Sequence, residues 1–232
     1  MSLSTSPPHA TCSTTTETSI VEAERVIRQH DLDLVLEPFP PFYDEPAYIA
    51  ELAASAREHL HDDDHLLFSY HGLPERQIRK CDPTHGHCLK TPDCCRVESV
   101  AHTRCYRHQV YVTSELVASA LGLPEDRWEV SFQSRLGRAK WIEPYTDVTL
   151  EQLPARGVKK LAVMCPAFVA DNLETLEEIG IQGRETFMEA GGERFMLIPC
   201  LNSRPGWVSV LAGWLDEETH PVPLFMNAAS GG

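Results

Sequence analysis

The sequence predicts an α/β fold, a parallel sheet whose faces are covered by helices. Three observations carry this. Five apolar runs of strand length alternate with segments of helical periodicity, the pattern of a parallel, Rossmann-type sheet. At 232 residues and 42% hydrophobic, the chain is long enough for one full α/β core. It contains neither an internal repeat nor a G-x-G-x-x-G turn, which speaks against a solenoid and against a dinucleotide site.

The elements follow in order. Residues 1–18, "MSLSTSPPHATCSTTTET", hold ten Ser or Thr and no basic residue, and read as a leading loop rather than a transit peptide. "SIVEAERVIRQH" repeats apolar positions at helical spacing. Strand "LDLVLEPF", helix "EPAYIAELAASAREHL" and strand "HLLFSY" come next, then a cysteine-rich stretch at 81–105 and helix "VYVTSELVASALG". The pattern continues with strand "WEVSFQSR", a short helix near 148–155, strand "KKLAVMCPAF", helix "LETLEEIGIQGRETFMEA", strand "RFMLIPC" and helix "PGWVSVLAGWL". The α/β domain is therefore expected over 19–220, with 81–105 inserted in it and 221–232 as a tail. The first recognisable element is a helix, so the sheet reads as starting in mid-unit, with chain expected upstream.

Composition narrows the function. Acidic residues outnumber basic ones 34 to 20, a net charge of -14, and the five lysines form no basic run, so a nucleic-acid partner is not expected. No apolar run reaches the roughly 18 residues of a membrane span, and the N-terminus lacks signal-peptide character, so a cytoplasmic protein with at most peripheral membrane contact is expected. In that compartment the eight cysteines stay reduced, and a metal or cluster suits them better than a disulfide knot. Cys165 and Cys200, in apolar runs, read as core thiols; Cys12 stands alone.

Ligands of open α/β sheets bind beyond the carboxyl ends of the strands, which draws attention to His71 and to "VADNLETLEE". His71, followed by Gly, Leu and Pro, sits on an exit loop, where a neutral imidazole either takes a proton, ligates a metal or merely hydrogen-bonds the turn. Glu174 has a structural alternative as well, because "DNLE" is a capping box with Asp171 as N-cap and Glu174 at N3.

Four segments in order, "LLFSYHGLPER", "FQSRLGRAKWIEPYTD", "VMCPAFVADNLETLEEI" and "IPCLNSRPGWV", resemble the signatures of ferrochelatases, enzymes that insert ferrous iron into protoporphyrin IX to make protohaem with release of two protons. The resemblance covers nearly the whole chain, including "CST" near residue 12. It implies a chelatase-like fold with the family's N-terminal domain missing, and a metal site of His71 and Glu174 that is also the catalytic pair. It further implies a porphyrin bent on binding and gripped by apolar walls, with Trp141 in "AKWIEP" as a substrate-binding residue whose alternative is a partly buried surface aromatic. Arg135 and Arg138 face propionates or solvent. Asn172 stands where some relatives place histidine.

The insertion is spaced C-x6-C-x5-C-C from Cys81, and nine further residues separate Cys95 from Cys105. Paired zinc knuckles are absent, though zinc with His85 or His87 stays open; four thiolates in a short loop suit an iron-sulfur cluster. Some bacterial ferrochelatases carry a 2Fe-2S cluster in such an insertion. The resemblance thus implies a cluster on Cys81, Cys88, Cys94 and Cys95, with Cys105 as the spare. The alternatives to an active ferrochelatase are a catalytically dead fragment, an iron-sulfur module on a chelatase-like scaffold, or a chelatase for another tetrapyrrole.

Overall fold

The computed structural model describes residues 18–36 and 39–215. The leading loop up to residue 17, with Cys12, and the tail 221–232 lie outside the described residues. Four parallel strands form one sheet in the order β2-β1-β3-β4: β1 is His65–His71, β2 Trp128–Gln133, β3 Lys160–Met164 and β4 Arg194–Leu197. In β1 only His71 escapes burial, because β1 is hydrogen-bonded on both edges, with Phe68 opposite Val130 on one side and Met164 on the other.

Side chains alternate across the sheet. Leu66, Phe68 and Tyr70 of β1 enter one core with α2 (Pro46–Arg57), α4 (Tyr106–Leu121) and α7 (Pro205–Leu215), where Phe42, Tyr48, Trp207 and Trp214 pack their rings together. Leu67 joins Leu161 and Val163 of β3 in a second core under α5 (Thr146–Gln152) and α6 (Arg184–Glu189). Local chemistry fixes the helix ends. Pro46 opens α2, where its missing N–H costs nothing, and α4 stops at Gly122, which takes a left-handed φ of 71°. The amphipathic α1 (Thr18–Gln29) has no buried residue. Among the described residues no helix is long and apolar enough to cross a membrane.

The structure departs from the sequence reading in two places. The described residues of "LDLVLEPF" form no strand: Leu36 makes an isolated bridge, and Leu32 and Val35 are exposed. The long helix after β3 begins as a π-helix, Glu174–Gly183, and becomes α-helical only in α6. Its close packing explains the glycines: a Cβ on Gly180 would stand 3.0 Å from Leu197 Cδ2, and one on Gly183 would stand 3.0 Å from Leu150 Cδ1.

Phe68 is fully buried and meets Trp128 edge to face, with 5.7 Å between centroids. Phe68→Ala is expected to destabilise the fold by about 3–5 kcal/mol, read as a lowered urea midpoint. A shift of less than about 1 kcal/mol would mean that β1 is not the packed centre of the sheet.

Candidate active site

The sheet order changes direction at β1 and β3: from β1 the chain moves outward to β2, and from β3 outward on the other side to β4. Such a switch point leaves a crevice beyond the carboxyl ends of the two central strands. His71 is the last residue of β1, and the chain leaving β3 enters the π-helix at Glu174. Across the crevice His71 Nε2 stands 3.8 Å from Glu174 Oε1, with both side chains about two-fifths exposed. That gap is too long for a hydrogen bond.

His71 Nδ1 lies 2.5 Å from the Gly72 carbonyl. A carbonyl only accepts, so Nδ1 carries a proton, and in the neutral imidazole the lone pair is then on Nε2, the nitrogen facing Glu174. The rings of Trp141 and Phe168 flank the imidazole at 6.2 and 6.4 Å. Trp141 is anchored through its indole N–H, which donates to the Leu136 carbonyl at 3.0 Å, while Leu136 itself is exposed. Arg135 lies over the Tyr145 ring and pairs with Asp147 at 2.6 Å.

A buried polar network positions the pair, and sequence reading passed over it. The Gln133 amide, buried at the end of β2, donates through Nε2 to the Glu174 carbonyl at 2.9 Å and accepts from Ser69 Oγ at 2.7 Å. Ser69 and Ser131 both meet Thr146 Oγ1, so β1, β2 and α5 are tied beneath the site. One turn along the π-helix, Glu178 accepts from the Ser134 N–H at 2.7 Å and its hydroxyl at 2.8 Å, holding Ser134 at a left-handed φ of 63°. The signal in the sequence was a polar Gln and Ser closing an apolar strand.

The capping reading needs a correction. The cap is Asn172, whose side-chain oxygen accepts from the Glu174 N–H at 2.8 Å and the Thr175 N–H at 3.3 Å. Asp171 is instead engaged by Asn202 Nδ2 at 2.7 Å and the Cys200 N–H at 3.2 Å. Burial raises its pKa, but these bonds prevail and hold the carboxyl below its ordinary value. The Glu174 carboxylate is therefore not spent on a cap.

The cysteine stretch folds around two centres. The first is Asp82, also missed, although Asp-Pro-Thr is an Asx-turn signature. Its carboxylate accepts from Thr84 N at 2.9 Å, Thr84 Oγ1 at 2.7 Å, and His87 N and Cys88 N at 2.8 Å. Burial pushes its pKa up, yet the bonds from Cys88, Thr84 and His87 keep it well below the usual carboxylate range. The second centre is Cys105, at the N-cap of α4. It is buried in one cluster with Cys88 and Cys95, and its interaction with their thiols pulls its own pKa down while pushing theirs up. Arg107 reaches Cys95 Sγ at 3.5 Å and Cys94 Sγ at 3.8 Å, and its buried Nε–H has no acceptor.

The structure thus gathers Cys88, Cys94 and Cys95 with Cys105, all buried, while Cys81, ending α3 (Glu75–Cys81), is less buried. His87 and His102 donate to the Cys94 carbonyl and His108 to that of Cys95. Among the described residues no group of three or more His, Cys, Asp or Glu is set to hold a single metal ion.

The sequence profile of the ferrochelatase family matches residues 1–219. The chain belongs to the ferrochelatase family. It is 60% identical over 199 residues to a ferrochelatase of Ectopseudomonas mendocina, covering 85% of this chain and 58% of that protein. Against ferrochelatases of Stutzerimonas stutzeri and Pseudomonas fluorescens strain Pf0-1 the identities are 59% and 58%, with 85% of this chain and 58% and 59% of those proteins covered. This ferrochelatase-family chain therefore spans just under three fifths of the curated relatives it matches.

Gly72 is what lets the ring wall of the site close: a Cβ there would lie 3.0 Å from the Gln133 carbonyl and 3.2 Å from Trp141 Cε3. Gly72→Ala is expected to cost about 1–3 kcal/mol in urea unfolding and to displace the Trp141 ring in a crystal structure; an unmoved ring would contradict the packing.

A second expectation concerns pH. A carboxyl with a depressed folded pKa stabilises above its unfolded pKa, about 3.9 for Asp, and loses that contribution as pH falls toward the folded value. Asp82→Asn should therefore lower Tm at neutral pH, with the gap to the unaltered protein shrinking below about pH 4. A gap that stays constant with pH would contradict the role given to Asp82.

Proposed function

We propose that the chain carries the metal-insertion site of a cytoplasmic ferrochelatase, placing ferrous iron in protoporphyrin IX to form protohaem, the last step of haem biosynthesis. The observation that carries this is the His71–Glu174 pair, facing across the crevice at 3.8 Å. Two ligand bonds of about 2.0–2.2 Å to one divalent ion span up to about 4.4 Å, so the two side chains are in reach of a shared ion. One neutral imidazole and one carboxylate bind it loosely enough for delivery, which a set of thiolates would not.

Insertion exchanges two pyrrole protons for one divalent ion, so charge balances only if a base takes the protons away. His71 Nε2, its lone pair exposed, accepts a pyrrole proton once the ion has left it, and the Glu174 carboxylate is the second acceptor. Trp141 and Phe168 supply apolar faces for a planar macrocycle, with Trp141 the substrate-binding residue.

For the cysteine loop we propose a 2Fe-2S cluster on Cys88, Cys94, Cys95 and Cys105, with Cys105 in the place the sequence reading gave to Cys81. Support comes from the donor set: four buried thiols in one cluster, with the partly buried Arg107 guanidinium reaching the sulfurs of Cys94 and Cys95, suit an anionic sulfur-rich group. Bound there, such a cluster supplies a covalent tie across a loop poor in apolar residues, and one-electron chemistry.

The test is metalloporphyrin formation from protoporphyrin with ferrous iron or zinc. The unaltered chain is expected to insert metal, and His71→Ala and Glu174→Gln to slow insertion by about a hundredfold or more. Full activity in His71→Ala would overturn the assignment. No metalloporphyrin from the unaltered chain would move the reading to a non-catalytic iron-sulfur module.

A further inference from the structure

Cys105 and Tyr106 are consecutive, and they serve two centres. The Cys105 side chain is buried in one cluster with Cys88, Cys94 and Cys95, while the Tyr106 hydroxyl donates to the backbone carbonyl of His71 at 2.8 Å. Tyr106 is the first residue of α4 and is nearly buried. The same helix grips the end of β1 again, through Ser114 Oγ and Tyr70 Oη at 2.9 Å. From the other side of the loop, Arg79 of α3 reaches the Cys88 and Leu89 carbonyls at 3.4 and 3.5 Å, and α3 begins four residues beyond His71. The helix that starts at Cys105 is therefore bonded to the end of β1 at Tyr70 and at His71, and the helix that follows His71 is bonded to the cysteine loop.

We propose that Tyr106 is a positioning residue: from the edge of the thiol nest it fixes the His71 backbone, so that the order of the cysteine loop sets where His71 stands relative to Glu174. The pair does not hold itself together, since 3.8 Å is beyond hydrogen-bond range. Its spacing depends on the two backbones, and a misplacement of about 1 Å is enough to cost a reaction dearly. On the Glu174 side Gln133 holds the backbone carbonyl; on the His71 side the corresponding bond is that of Tyr106. The iron-sulfur loop thereby acquires a part in the chemistry without touching substrate.

Hydrogen–deuterium exchange on the 232-residue chain tests this without any activity assay. In Tyr106→Phe, which keeps the ring, amide exchange over residues 70–74 is expected to quicken about fivefold, the size of one lost hydrogen bond, while residues 81–104 stay unchanged. In Cys105→Ser both segments should quicken. Unchanged exchange over 70–74 in Tyr106→Phe, or in a Cys105→Ser protein whose loop has loosened, would overturn the proposal.

A kinetic arm rests on the reading of His71 and Glu174 as the metal site. There Tyr106→Phe should raise KM for the metal about fivefold and leave KM for the porphyrin unchanged; equal rises in both would mark general loosening and count against positioning. A chain that makes no metalloporphyrin would sink the functional reading and leave the exchange result to decide this one.

Discussion

The buried amide of Gln133 is the constraint on which the site's geometry depends. It joins β1 two residues before His71, the last residue of β2, and the first residue of the π-helix. An amide left unpaired in this interior would cost about 1–3 kcal/mol, so the strand ends and the helix start stay in register. Glu178 and Ser134 bolt the same junction one turn further on. The gap between His71 and Glu174 is thus imposed by the scaffold, which leaves both side chains free to receive a ligand and to give it up.

The cysteine loop uses a different physics. It has few apolar side chains to bury, and polar contacts do what a core does elsewhere. Asp82 gathers three backbone N–H groups and a hydroxyl, Cys105 is buried beside Cys88 and Cys95, and three imidazoles cover the carbonyls of Cys94 and Cys95, with His102 and His108 stacked at 3.7 Å. His87, which the sequence left open as a zinc ligand, is thus one of three imidazoles bonded to the loop's backbone. The loop also adjoins β1, because α4 starts at its last thiol and the Tyr106 hydroxyl donates to the His71 carbonyl.

Much of this was legible before any coordinates. The four paired strands announce themselves as apolar runs; the rule that sites lie past strand ends points to His71 and to the segment holding Glu174, while their pairing as a metal site comes from the family resemblance. Other features were not legible, for physical reasons. "LDLVLEPF" has the composition of a strand, but composition does not state whether a partner edge is there, and Leu32 and Val35 lie exposed. The π-helix keeps the apolar spacing of a helix while shifting its backbone bonds, as in Arg184 N–H to the Ile179 carbonyl, which side-chain pattern does not record. Asp171 and Asn172 are adjacent and both able to cap; Asn202, from beyond β4, decides between them by engaging Asp171. Gln133 shows in the sequence only as a polar residue closing an apolar strand; what it ties together does not, because its partners, Ser69 and Glu174, come from distant parts of the chain.

The direct measurement of the central claim is where a divalent ion binds. Crystals of the chain soaked in zinc, with the metal located by its anomalous signal, should show an ion bonded to His71 Nε2 and the Glu174 carboxylate, in a site lost in Glu174→Gln. Zinc found elsewhere, with the space between His71 and Glu174 empty at saturating concentration, would contradict the account.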